Sequence, residues 1–525
     1  MGEFRGPHAG RVRADGKVRP MSTLHERLLA LSPKTLTGMR RGIEKESLRV
    51  QPDGKLAMTP HPAALGSALT HPHITTDFSE AQLELITGVH TTPEGCIEEI
   101  TQIHQAVYRA IGEEILWCAS MPCGLPEDDA IPIGQYGSSN IGRAKSVYRM
   151  GLAHRYGRRM QAISGIHYNW SLPGLGNAEY FALLRNFRRH GWLLFYLFGA
   201  SPAVCSSFVA GREHRLRELK PGNLYLPHAT TLRMGRLGYQ SDAQASISAS
   251  FNSLEAYCAS LEKALLQSWP AYEKIGVRGA NGEYRQLGTS LLQIENEFYG
   301  KIRPKRPIRT GERPLHALRE RGVEYIEVRL MDLDPFEPVG IGAQTMRMLD
   351  VFLLHCLLTD SPLDTPEEIA TEAGNQERVA GRGREPGMKL SRGSQQVALE
   401  EWGAQLLAEC QPVADALDDA FGGGAYAAAL AAAAALVHKP ESTPSARVLA
   451  AMAREHDNSY TRFVLERSRR HARTLRELPL APDVAARFAQ MAEASHEKQR
   501  DIEAADKLDF ESWRKNYLSP AQLRI

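Results

Sequence analysis

The chain has 525 residues, 43% of them hydrophobic and 24% charged, which is enough apolar material for a substantial core and excludes disorder as a whole. Its 63 Lys plus Arg stand against 61 Asp plus Glu, so no global field favours a nucleic-acid partner. No run reaches the roughly 20 apolar residues a membrane helix needs, and seven cysteines without CxxC spacing suggest neither a disulfide framework nor a zinc knuckle, which points to a reducing cytoplasm.

Residues 1–22 carry Arg5, Arg11, Arg13, Lys17 and Arg19 among Gly and Pro, with no apolar segment behind the charges. A disordered tail is expected there rather than a secretory signal, and Met21 is an alternative start. Residues 23–525 are expected to form one catalytic body, because the informative segments are spread along it. A strand over 42–50 sends Glu44 and Glu46 to one face, with Lys45, Ser47 and Arg49 on the other. Over 76–85 the same phase groups Glu80, Gln82 and Glu84 against Ala81, Leu83 and Leu85. Thr92, Pro93 and Glu94 then supply an N-cap, a first-turn proline and a first-turn acid, and Ile97, Ile100, Ile103, Val107 and Ile111 follow at helical spacing.

Residues 163–172 alternate His167, Asn169 and Ser171 with Ile166, Tyr168, Trp170 and Leu172. Residues 291–298 read as a strand aligning Gln293, Glu295 and Glu297, and 324–330 as one aligning Tyr325, Glu327 and Arg329. Between these two lies a dense cationic segment, 301–309, in which Arg303 and Lys305 are candidates for ATP phosphates. Residues 346–358, 425–437 and 488–505 read as helices, so the last third is mainly helical, while 381–387 reads as a loop. The strands lack the regular strand–helix alternation of a parallel sheet, so an α+β architecture with a mostly antiparallel sheet is expected.

A half-buried strand normally shows a charged face to water, so any one of these segments decides nothing. Together they repeat Glu, Gln, His and Asn with few cations, a bias that exposed faces do not share. Carboxylates gathered in one cavity repel one another unless a counter-charge is present. Mg²⁺, with hard oxygen ligands and open positions for phosphate oxygens, suits a Glu-rich, Cys-free set with one imidazole. No GxxxxGK[ST] occurs, so an ATP site here is not a P-loop.

The runs 41–49 (RGIEKESLR), 75–78 (TTDF), 120–123 (SMPC), 136–140 (YGSSN), 164–169 (SGIHYN), 293–297 (QIENE) and 324–329 (EYIEVR) resemble, in order, the proteobacterial type of glutamate–cysteine ligase over residues 25–510. The resemblance implies a glutamine-synthetase-like fold, in which a curved, mostly antiparallel sheet forms an active-site funnel with helices packed outside. It implies ATP-dependent ligation of glutamate to the amine of cysteine through a γ-glutamyl phosphate, the first step of glutathione biosynthesis. Glu44, Glu46, Asp77, Glu84, His167 and Glu327 match Mg²⁺ ligands, with Mn²⁺ able to substitute, and Arg329 with Glu327 matches the catalytic pair at the transferred phosphoryl group. Phe78, Tyr148, Leu152, Gln161, Tyr239 and Tyr299 match the cysteine pocket, Arg149 and Arg233 match carboxylate anchors, and Asn169 shares the substrate face. A monomer acting on L-glutamate, L-cysteine and ATP is expected. A ligase for another amine, or a silent nucleotide-binding protein on the same scaffold, are the alternatives the residues leave open.

Overall fold

A computed structural model describes residues 23–238, 242–309 and 311–524; the expected N-terminal tail and Tyr239 lie outside the described residues. In chain order the strands are β1 Arg40–Val50, β2 Ile74–Thr76, β3 Gln82–Ile86, β4 Ile115–Leu116, β5 Ile166–Ser171, β6 Ala203–Cys205, β7 Arg217–Lys220, β8 Asn223–Tyr225, β9 Ile302–Lys305, β10 Tyr325–Met331, β11 Lys389–Arg392 and β12 Gln395–Ala398. Seven of them make one open sheet in the order β2-β3-β1-β5-β10-β9, with β4 on the far end of β1. Every pairing in it is antiparallel. The α+β, antiparallel expectation therefore holds, and a smaller β6-β8-β7 sheet and a β11-β12 hairpin lie apart from it.

Period-two alternation decides which side of this sheet is core. On β5, Ile166, Tyr168 and Trp170 are buried in an apolar cluster with Phe187, Phe352 and Leu354, supplied by helices Asn177–His190 and Ala343–Leu358. Helix Pro93–Ala110 starts as its sequence dictates: the Thr92 side chain accepts from Gly95 N at 3.2 Å, Pro93 occupies the first turn, and Ile100, Ile103 and Val107 are buried. Two ionic devices lock the core side of the strands. Arg41 on β1 donates to Asp350 from Nε and Nη2 at 3.1 and 2.8 Å, and the Tyr168 hydroxyl donates to the same carboxylate at 2.7 Å. Lys45 Nζ lies 2.7 Å from His104 Nε2, and because His104 Nδ1 donates to Ile100 O, Nε2 is the acceptor.

Four sequence expectations change. Residues 291–298 are not a strand: they form an irregular segment closed by a 3₁₀ turn, Glu295–Glu297. The reason is that these carboxylates are held by arginines and backbone N–H groups rather than by a ladder. Glu295 receives Arg313 at 2.8 Å and Glu297 receives Arg155 at 2.9 Å, all four side chains being buried. Glu80 precedes β3 and accepts from His61 N and Gln135 N, so it organises loops instead of joining a strand face. Gly381 and Arg382 belong to helix Pro366–Arg382, which leaves only the remainder of the expected loop 381–387 outside it. Cys123 and Cys205, 82 positions apart, are joined as a disulfide with Cα atoms 5.4 Å apart, a pairing their spacing did not signal. No helix among the described residues is long and apolar enough to cross a membrane.

Candidate active site

The register of the sheet assembles the polar face. β1 places Glu44 opposite His167 of β5, and Glu46 opposite Glu84 of β3. β10 places Glu327 opposite Asn169. Four strands that are remote in sequence thus bring their polar phase to one side: the opposite phase of β3, β5 and β10 is apolar and buried, and on β1 the buried Arg41, Lys45 and Arg49 of that phase have their own partners on the core side.

Hydrogen bonds tie the set together. His167 Nδ1 lies 3.1 Å from Glu44 Oε2 and 3.5 Å from Glu327 Oε1, while Nε2 is 3.6 Å from Glu46 Oε1. Asn169 donates to Glu44 Oε1 at 2.9 Å. Arg329 Nη1 donates to Glu327 Oε1 at 2.8 Å, and Lys305 Nζ stands 3.4 Å from Glu327 Oε2. Ligand atoms of Glu44, Glu84 and His167 all lie within 4.8 Å of one another. The β5–β10 ladder slips between Val328↔Tyr168 and Met331↔Ile166, so Arg329 and Leu330 together face His167. Alternation puts Arg329 on the face of Glu327, and the two-against-one bulge sets it, with Leu330, opposite His167.

The electrostatics divide the carboxylates into two kinds. Burial, together with Glu44, Asp77 and Glu46, holds Glu84 well above the usual carboxylate range, and burial with Asp77 pushes Glu46 up to about 8. On Glu327 burial is outweighed by Arg329, Lys305 and His167, which keep it well below that range. Glu44 is also lowered: burial and Glu327 push it up, and the bond and charge of His167 with Lys305 prevail. Burial and Arg329 lower the imidazole of His167 against the bond of Glu44 and the charge of Glu327, which raise it. The side of the cluster formed by Glu46 and Glu84 is therefore short of positive charge.

Beyond Glu46 the substrate candidates gather. Arg149 donates through Nε to Asp77 O and lies over the Tyr136 ring. Arg233 donates from Nη2 to Arg329 O at 3.0 Å, and a Cβ on Gly165 would collide with its guanidinium, so this approach requires glycine. Gly165 N in turn donates to Glu46 Oε2 at 2.7 Å. Gln161 Nε2 donates to the Tyr299 hydroxyl at 2.7 Å, while Phe78, Tyr148 and Leu152 are buried nearby in one apolar cluster. Arg303 is buried and donates to Asn296 O at 3.0 Å and to Phe298 O, with Arg329 and Glu327 as charge neighbours. Sequence reading missed Lys145, whose charge faces Glu84 and Asp77 from one turn before Arg149, and which burial lowers to about 8. The i, i+4 spacing of Lys145 and Arg149 was the available signal.

At the other end of the face, a cleft of about 570 Å³ opens beside Glu44 and Asn169. It runs between Gly42, Thr87 to Val89, Trp170 to Leu175, Arg306 and Tyr325. The face thus has an open cleft at one end, acids in the middle, and arginines with aromatic side chains at the other.

The glutamate–cysteine ligase family model matches residues 27–379. The chain belongs to the glutamate–cysteine ligase family. It is 49% identical over 516 residues to the glutamate–cysteine ligase of Pseudomonas paraeruginosa, covering 94% of this chain and 97% of the relative. It is 47% identical to that of Alcanivorax borkumensis, covering 94% and 98%. Among solved structures, the glutamate–cysteine ligase of Francisella tularensis in complex with AMP superposes with a TM-score of 0.88 at 36% identity, covering 92% of this chain and 98% of that one. A bifunctional glutathione synthetase from Pasteurella multocida matches with a TM-score of 0.69 at 27% identity, over 90% of this chain and 58% of that one.

Proposed function

We propose that this member of the glutamate–cysteine ligase family joins the side-chain carboxylate of L-glutamate to the amine of L-cysteine at the expense of ATP, the first step of glutathione biosynthesis. The observation that carries the reading is the buried carboxylate face with Arg329 beside it, in a chain whose relatives of the same length bear that name.

The residues fit a divalent cation. Glu327 Oε2 is buried without a hydrogen bond among the described residues, Asn169 Oδ1 likewise, and on Glu84 and Glu46 burial and neighbouring carboxylates outweigh the nearby cations. Glu44, Glu46, Asp77, Glu84, His167 and Glu327 would hold Mg²⁺, or Mn²⁺ in its place, and bound metal would neutralise phosphoryl oxygens of ATP.

The chain's own side chains account for the rest. The cleft beside Glu44 and Asn169 takes the nucleoside end of ATP, with the phosphates directed along the sheet past Lys305 toward Arg329; the AMP complex of a relative supports nucleotide use by the family, without placing it. An oxygen of the glutamate side-chain carboxylate attacks the terminal phosphorus, ADP leaves, and Arg329 offsets charge on the transferred group. Arg149 and Arg233 anchor substrate carboxylates, which aligns the reactive one. The cysteine amine then attacks the acyl carbon, the C–O bond breaks with its electron pair leaving on phosphate, and the proton lost from nitrogen passes to that phosphate. Phe78, Tyr148, Leu152, Gln161 and Tyr299 enclose the cysteine side chain and keep water from the acyl phosphate. We place the reaction in the cytoplasm, which suits the five buried free thiols Cys96, Cys118, Cys258, Cys356 and Cys410 and against which the Cys123–Cys205 disulfide counts.

The deciding measurement is ADP release by the purified protein with ATP, Mg²⁺ and glutamate, against a panel of amines. Cysteine-dependent turnover that yields γ-glutamylcysteine is expected. Faster turnover with another amine would reassign the substrate, and nucleotide binding without turnover would remove the activity.

A further inference from the structure

A second cavity lies away from the carboxylate face, and the proposed reaction leaves it unused. It encloses about 970 Å³ between residues 212–216 ahead of β7, the turn 231–237, and helix Pro366–Arg382. None of the proposed ligands, anchors or pocket residues lines it. Its size falls at the upper end of small-molecule sites, roughly 300–1,000 Å³.

Its chemistry is one-sided. Arg212, Arg215, Arg236, Arg378 and Arg382 reach it from three separate segments, with His214 among them. Only Glu213 and Glu377 oppose them on the walls, and Glu377 is already paired with Arg236. Arg382 is paired outside the lining with Glu385. Arg378 is anchored, donating to Asn375 Oδ1 at 2.6 Å and Ser391 Oγ at 2.9 Å, while its Nε is buried with no acceptor among the described residues. Leu216, Leu226, Leu232 and Leu237 supply an apolar wall. In a protein whose total charge is balanced, five arginines around one concavity form a local positive field, and guanidinium forks match carboxylate and phosphate oxygens.

We propose that this cavity is a second ligand site, separate from the catalytic face, for a small organic polyanion with an apolar portion. Its acidic groups meet the arginines of helix Pro366–Arg382 and of residues 212–215, and its apolar part lies on the leucines. A nucleic acid is disfavoured because the charge is concave and local. The turn that forms one wall is the one that sends Arg233 toward Glu46, and Thr231 at its start donates to Asp332 Oδ1 at 3.0 Å.

The full-length protein is titrated with 8-anilinonaphthalene-1-sulfonate, an aromatic anion whose fluorescence reports apolar, cationic cavities, in the presence of saturating Mg²⁺, a non-hydrolysable ATP analogue and glutamate. Saturable binding that persists under those conditions, and that R378A/R382A weakens by about tenfold, is expected, since two charge-assisted contacts are removed. Citrate and glucose 6-phosphate then compete separately, and whichever displaces the dye identifies a carboxylate or a phosphate ester as the preferred anion. R215A, at an exposed position, repeats the test should the double variant not fold. The site is refuted if the dye does not saturate, if nucleotide or glutamate displaces it, if neither citrate nor glucose 6-phosphate competes, or if folded cavity variants bind it as wild type does.

Discussion

The carboxylate face of β1, β3, β5 and β10 and the segment around Glu295 to Glu297 carry the same sequence signature, Glu at alternate positions beside amides. In the structure they are opposites. Glu295 and Glu297 are each matched by a buried arginine, and the surrounding chain is irregular. On the sheet, Glu46 and Glu84 face each other across a ladder, and burial with neighbouring carboxylates holds both above the usual carboxylate range. A buried acid with its own guanidinium is architecture, whereas a group of buried acids short of cations is a site awaiting one.

The sharpest way to break this comparison is to cut one member of each region. Removing Arg329 or Glu327 (to Ala) is expected to lower kcat by about a thousandfold or more, because a group facing developing charge is lost. Near-normal steady-state kinetics in either variant would end the assignment. Glu295→Ala should do the reverse. It leaves Arg313 buried without its carboxylate, at a cost of about 3–5 kcal/mol in denaturant unfolding, while protein that remains folded keeps its kcat.

Metal and pH separate the two regions further. Glu46 sits near 8 in the folded, metal-free protein against an ordinary value of 4.5. Between those values the folded state holds a proton that the unfolded state has released, so stability falls as pH rises through this window. Mg²⁺ at about a hundred times its dissociation constant adds about 2.7 kcal/mol, and its effect on melting temperature should be larger at pH 8 than at pH 6, as protons no longer compete. Melting curves that ignore Mg²⁺ at every pH would contradict a cation site. The lowered groups Glu44 and Glu327 act in the opposite sense and only below 4.5. The smallest effect expected is at Gly165. Alanine there pushes the Arg233 guanidinium aside, and KM for glutamate should rise by about tenfold with kcat less affected, as for a lost carboxylate contact.

How much was legible depended on whether local pattern or distant partner set the outcome. Helix Pro93–Ala110 was legible from its cap, proline and isoleucine spacing, and the strand phases at Glu44, Glu46, Glu84, His167, Asn169, Glu327 and Arg329 were legible from alternation. The misreading of 291–298 arose because period two does not reveal that Arg155 and Arg313, 142 and 18 positions from Glu297 and Glu295, would claim those carboxylates. The bulge at Arg329, the role of Gly165 and the charge of Lys145 depend on contacts between separate strands and helices, which local pattern does not encode.

By itself, then, the sequence determined which residues alternate, where helices start, and which chemistry the polar phases could support, since backbone periodicity and side-chain type are local properties. Only the tertiary structure decided which acids share a face, which are neutralised by an arginine, and which cavity collects five guanidinium groups, because charge compensation is set by distances through space.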